Sequence, residues 1–222
     1  LSAQQYGNAV LWRQVTPGDI KLEAIDHATI TATASAASAA VGAGAFAGVA
    51  LSGAGANATN VILTKVHAYA SNSDLNSGRD VIVTATDTAT INASVLGLSA
   101  AVGAGGVGVA AAIGSSTAQN LIGKTLWGAE QRAEVKAYLD NTSVQSVRDI
   151  TLLATETATI TAFVGAGSVA LAGGGVAVAA SGAGASAINT VATDVKSYVS
   201  TTRGDHIDVG NALSVTARDT ST

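Results

Sequence analysis

One pattern of residues returns along this chain at intervals far longer than any helix or hairpin period. Ile20-Lys-Leu-Glu-Ala-Ile-Asp-His-Ala-Thr-Ile-Thr-Ala32 is matched by Val81-Ile-Val-Thr-Ala-Thr-Asp-Thr-Ala-Thr-Ile-Asn-Ala93 and by Ile150-Thr-Leu-Leu-Ala-Thr-Glu-Thr-Ala-Thr-Ile-Thr-Ala162. A fourth copy opens at Leu213 and stops at Thr222. The copies start 61, 69 and 63 residues apart. A repeat of this length is one supersecondary unit, and copies stack because each buries a face that none could bury alone. That constraint favours an extended structural array over an enzyme built around one pocket. The boundaries fall at about 18–78, 79–147, 148–210 and a partial 211–222. They form a single array, since Pro17 is the only proline and no polar linker separates the copies. Residues 1–17, with Trp12, fit the repeat poorly and are expected to be the end of a preceding unit or an N-terminal extension. The absence of methionine and the cut-off fourth copy point to a piece of a longer chain.

The first half of each copy alternates with period two. Val81, Val83, Ala85, Ala89 and Ile91 share one face, and Ile82, Thr84, Thr86, Thr88, Thr90 and Asn92 share the other. This predicts a β-strand with one apolar and one threonine face, since branched Cβ atoms suit a pleated surface. The second half, Ser99 to Gly114 and its equivalents Ser38 to Gly53 and Ser168 to Gly182, is small or apolar at odd and even positions alike. Alanine favours a helix, but each interior glycine costs a helix about 1 kcal/mol relative to alanine. The Val-x-Val and Gly-x-Gly alternations also favour strand. A strand apolar on both faces is normally covered on both. The Gly/Ala half is therefore expected in the interior and the threonine-faced half nearer solvent.

A third segment closes each copy. Asn60, Asn120 and Asn189 precede Val66-His-Ala-Tyr69, Val135-Lys-Ala-Tyr138 and Val195-Lys-Ser-Tyr198. The tyrosines are expected to stack between copies and keep register. The second copy carries extra residues at about Gly123 to Gln131, including Trp127, and the third carries extra residues between Tyr198 and Leu213. Length changes at fixed points of a repeat map to loops on one face. Both insertions are expected to be exposed and available to a partner.

Chemistry is sparse. Charged residues make up 12% of the chain, well below the ~25% of ordinary domains, and the net charge is −4. This excludes the basic footprint of a nucleic-acid binder. With no cysteine there is no disulfide, thiolate metal site or cysteine nucleophile. His27, His67 and His206 hold three different repeat positions, so no nucleophile, base and orienting acid converge. No enzyme activity and no cofactor are expected. Asp26, Asp87, Glu156 and Asp219 hold one position and are the weak candidates for a metal ladder. The competing reading is a solvent-facing or turn-capping acid, and no calcium-type loop surrounds them. The residues most suited to partner contact are Trp127 and the tripeptide Arg203, Gly204 and Asp205, a sequence known from integrin recognition. Residues 28–64, 88–123 and 157–193 carry no charge or histidine and are long enough to span a bilayer. They are rich in Gly, Ser, Thr and Asn and lack aromatic belts, which argues against membrane insertion.

From Asp149 to Tyr198 the chain runs Asp-Ile-Thr-Leu-Leu-Ala-Thr-Glu-Thr-Ala-Thr-Ile, then Gly-Gly-Gly-Val-Ala-Val-Ala-Ala-Ser-Gly-Ala-Gly-Ala, then Asn-Thr-Val and Val-Lys-Ser-Tyr. This order resembles the repeats of giant bacterial surface adhesins of the filamentous-haemagglutinin and leukotoxin type, over essentially Gly18 to Thr222. The resemblance implies secretion, an extracellular or cell-surface location, a β-structured rod or filament, and a part in attachment. It carries over no catalytic residue. The expected fold is all-β, a β-solenoid or a stack of long strands with three full copies and a partial fourth. The expected function is a stiff adhesin stalk or filament that contacts neighbouring repeats or copies of itself. The alternative is a module that grips host or cell-surface glycans or receptors through the loops near Trp127 and Arg203.

Overall fold

The computed structural model describes residues 18–202 and 204–222 in full and residues 2–6 and 9–13 as backbone. Every regular element is a strand. Strands β1 (Ser2–Tyr6) and β2 (Ala9–Arg13) pair antiparallel with each other, and Pro17 lies outside the described residues. The first copy contributes β3 (Ile20–Asp26), β4 (Thr29–Ile62), β5 (Lys65–Ser71) and β6 (Asp74–Ser77). The second contributes β7 (Val81–Ile122), β8 (Ala133–Asp140) and β9 (Ser143–Ser146). The third contributes β10 (Ile150–Gly173), β11 (Val176–Val191), β12 (Thr193–Ser200) and β13 (Ile207–Val209), and the fourth opens with β14 (Leu213–Asp219).

Equivalent strands pair parallel and in register. Val81, Ala85 and Ile91 of β7 stand beside Ile20, Ala24 and Ile30 on one side and beside Ile150, Ala154 and Ile160 on the other. Likewise β8 lies between β5 and β12, and β9 between β6 and β13. These three sheets form a base around one core. The alternation of the first half decides which side chains enter it: Val81, Val83, Ile150 and Leu152 meet Val135, Leu139 and Val144, all essentially without exposure. The threonines of the other face stay half-buried in the second and third copies and are exposed in the first. Asn72 and Asn141 turn the corner after β5 and β8 with φ of 49° and 46°, a region asparagine tolerates better than most residues.

Beyond Ile91 the Gly/Ala half leaves the base as a two-walled fin. β7 doubles back at Gly105–Gly106, and the buried parity flips there, from Ala101 and Gly103 to Gly108, Ala110 and Ala112. β4 turns at Ala45–Phe46, and the third copy turns between β10 and β11. The facing side chains shrink toward the tip. Ile91 packs near Ile122 at the neck, Val95 near Ala118 further out, and Ala101 against Ala110 and Ala112 beyond that. Near the tip the walls meet backbone to backbone: a Cβ on Gly103 would collide with the Val109 carbonyl. The spacing is therefore tighter than the ~10 Å of ordinary face-packed sheets.

The all-β expectation holds among the described residues, and the membrane-spanning helix does not, since no helix is present. The expected placement of the two halves is corrected. The deepest core belongs to the threonine-faced half, while the Gly/Ala tract is covered on one face in the first two copies and its return arm in the third, β11, is exposed on both. The reason is the fold-back within each copy. The tract covers its own small residues with its other arm and turns Leu96, Leu98, Ile113 and Phe163 outward. Because Gly103 admits no Cβ, Gly103→Ala is expected to lower stability by about 1–3 kcal/mol through overpacking. Gly182→Ala, where nothing lies within 4 Å, is expected to be neutral. Urea unfolding midpoints of the two variants check this.

Candidate functional site

The inward alternation that begins at Val81 runs through residue 87, so it carries an acid into the core at the neck of the fin. Asp26, Asp87, Glu156 and Asp219 stand side by side in register on β3, β7, β10 and β14. Asp87 and Glu156, covered by a copy on either side, have no exposed surface. Asp26 is half-buried and Asp219 exposed. Facing them from the closing segments are Thr64, Ala133 and Thr193, which share one repeat position.

Burial and the facing residue together set the state of each acid. Thr64 Oγ1 donates to Oδ2 of Asp87 at 2.6 Å, and Thr193 Oγ1 donates to Oδ2 of Asp219 at 2.5 Å. Ala133 has no hydroxyl to offer, and both oxygens of Glu156 are buried without a protein partner. Burial, then the charges of Asp87, Asp219 and Asp26, push the Glu156 carboxyl up to about 8. Burial also raises Asp87 against the opposing bond from Thr64. At Asp219 burial pulls upward, but the hydrogen bonds from Ser221 and Thr193 outweigh it and hold the acid below its usual range. Glu156 is thus a neutral acid at pH 7. Protonation of Glu156 removes its like-charge repulsion with the adjacent Asp87. Among the described residues no three His, Cys, Asp or Glu side chains gather as a metal site would require.

Two further ladders run across the same layers. Asn60 Nδ2 donates to Asn120 Oδ1 at 2.7 Å, and Asn120 Nδ2 to Asn189 Oδ1 at 2.8 Å, in the fin's neck. Tyr69, Tyr138 and Tyr198 stack with ring centroids 5.0 Å apart and planes 5° from parallel, as expected of them. On the same sheet Glu134 gathers Lys136 at 2.5 Å, His67 at 3.2 Å and Lys65 at 3.5 Å. The bond from Lys136 is the main reason the Glu134 carboxyl falls to about 2.

The expected partner-contact residues lie apart from this row. Trp127 sits at the tip of the 123–131 insertion with its side chain 94% exposed. The loop closes through Thr125 N donating to Ala129 O at 2.9 Å and Gly128 N donating to Thr125 O at 3.0 Å. In the third-copy insertion Gly204 has φ of 117°. Oδ2 of Asp205 accepts from Thr202 N at 2.9 Å and Thr202 Oγ1 at 3.0 Å, so that carboxylate serves its own loop. Arg203 lies outside the described residues. The sequence signal for the buried acids is their parity, which places position 87 with Val81 and Ile91. A polar residue type at that position masks it. No protein-family model matches the chain, and no curated protein or solved structure matches it.

The titration of Glu156 has a defined consequence. Its carboxyl ordinarily ionises near 4.5 but keeps its proton to about 8 when folded. Folding therefore takes up a proton in that window, and stability is highest below pH 4.5 and falls as pH rises toward 8. The low-lying Glu134 acts in the opposite sense, but only as pH falls from 4.5 toward 2, so the windows separate. Glu156→Gln keeps a donor toward Asp87 and carries no charge. Urea titrations from pH 5 to 8 are expected to show wild-type stability declining by on the order of a few kcal/mol and the variant nearly flat. Equal slopes would refute a proton-holding Glu156. Ala133→Thr combined with Glu156→Asp, which restores the pairing of the other copies, is expected to flatten the slope as well.

Proposed function

We propose that the chain is a structural repeat segment of an extracellular bacterial adhesin or filament, a β-solenoid in which each copy completes the next. The observation that carries this reading is the in-register parallel pairing of equivalent strands on all three sides of the base and on both walls of the fin. Hydrogen bonds then run along the stacking axis through every layer, which is a source of stiffness. The outer strands keep unpaired edges on which further copies fit. The geometry adds one feature to a simple stalk. Each copy advances the axis by only ~4.8 Å, yet the arm from Val81 to Gly105 extends about 80 Å at ~3.3 Å per residue. The result is a thin, broad blade. Dilute small-angle X-ray scattering is expected to give a radius of gyration of about 25 Å, against about 17 Å for a compact chain of this length. A value near the compact one would overturn the blade.

The exposed indole of Trp127 favours a second reading, in which the insertion loop grips a glycan or receptor at the blade's side. Excising residues 124–131 is then expected to abolish binding on a glycan array while leaving the β-rich circular dichroism spectrum intact. Binding that survives this excision and the trimming of residues 202–205 would remove the loop-binder reading.

A further inference from the structure

The fin inverts the usual arrangement of a protein layer, with glycine, alanine and serine inside and the large apolar side chains outside. On one wall Val41 is 79% exposed, Leu171 58% and Phe163 64%, and on the other Val49 is 59% exposed and Ile113 65%. The large side chains leave on the order of 700 Å² of apolar surface on each wall. That exceeds the ~300–600 Å² of the largest patch on a typical monomer and approaches the ~800 Å² per partner of a stable dimer. We propose that these walls pair with the fin walls of a second copy of this chain, sheet against sheet. The proposal builds on the blade architecture put forward above and names the partner and surface of its lateral contacts.

Three observations select this occupant. First, residues 28–64, 88–123 and 157–193 carry no charge or histidine, so a charged partner finds no complement on the fin. Second, the outward side chains of the two walls, Val41, Leu171 and Phe163 on one and Val49 and Ile113 on the other, are all exposed, so the wall of a like copy offers an apolar face of matching extent to cover them. Third, the relief suits a like surface. Ile113 stands between Gly53 and Gly182, and Leu98 between Ala37 and Gly167. In other rows the large residue stands on an outer strand, Leu51 beside Ala111 and Phe163 beside Ser94, so each wall alternates ridges and troughs into which those of another wall can seat.

Sedimentation velocity of the intact chain tests this. Wild-type protein is expected to associate by ~100 µM, above the micromolar end of the range for interfaces of this size. Val41→Lys with Leu171→Lys on one wall, combined with Val49→Lys on the other, is expected to weaken association at least ~10-fold with an unchanged circular dichroism spectrum. Threonine at the same three positions keeps strand propensity and is expected to act in the same direction should the lysine variant misfold. Thr84→Lys on the base is expected to leave association unchanged. A strictly monomeric wild type, or association unaffected in the folded variants, would overturn the pairing. So would a chain that stays monomeric in buffer but co-sediments with neutral phosphatidylcholine vesicles. Monomers that still scatter as extended blades would sink the pairing alone, whereas compact monomers would sink the blade as well.

Discussion

In-register parallel pairing sets each residue beside its own equivalent at ~4.8 Å, and the rest of the structure answers to that one rule. A side chain is suited to this chain only if it tolerates a row of itself. Tyrosine does so by stacking its rings. Asparagine does so by passing hydrogen bonds from one amide to the next. Valine, isoleucine and alanine do so by packing. Like charges do not, because repulsion at that spacing is uncompensated unless water or an opposite charge intervenes. This gives the low charge content a physical reading, and where like charges do adjoin, a neighbouring column compensates them: Glu134 and Asp194 stand side by side, and Lys136 and Lys196 beside them pair with them at 2.5 and 2.7 Å.

The acids show how the rule is met in two ways. At the half-buried corners, Asp80 Oδ1 accepts the Asp149 N–H of the next copy at 3.0 Å, and Asp149 Oδ1 accepts the Ala212 N–H at 3.0 Å. Arg148 lies 3.7 Å from Asp80. There the adjoining copy supplies the donors. In the core only threonine is available, and it is absent opposite Glu156. The change from Thr64 and Thr193 to Ala133 coincides with the change from Asp87 and Asp219 to Glu156. Opposite Ala133 no hydroxyl is offered, and burial with the neighbouring acids favours the protonated form of Glu156. The repeat thus diverges in pairs across its core.

The base was largely legible in the sequence, because Val81 to Ile91 and its equivalents alternate cleanly and the closing Val-x-Ala-Tyr segments recur. The interior acids were less so, since their parity was outweighed by their polarity. The fin was legible as strand but not as shape. Residues apolar at every position are silent about which face turns inward, and the deciding event is a fold-back at Gly105–Gly106 that flips parity. The close approach of glycines to the facing arm, Gly97 to Ser116 and Gly103 to the Val109 backbone, becomes visible only once the two arms are aligned. The assignment of the tract to a doubly covered interior failed for that reason. The same inversion leaves large apolar side chains on the surface.

The central claim is that successive copies lie directly beside one another in register. The chain has no cysteine, so paired spin labels can be introduced cleanly. Thr86 and Thr155 are register partners on the outer face of the base. Labels on Thr86→Cys and Thr155→Cys together are expected to show strong dipolar and exchange broadening, as befits backbones ~5 Å apart. A doubly labelled spectrum equal to the sum of the two singly labelled ones would contradict the account.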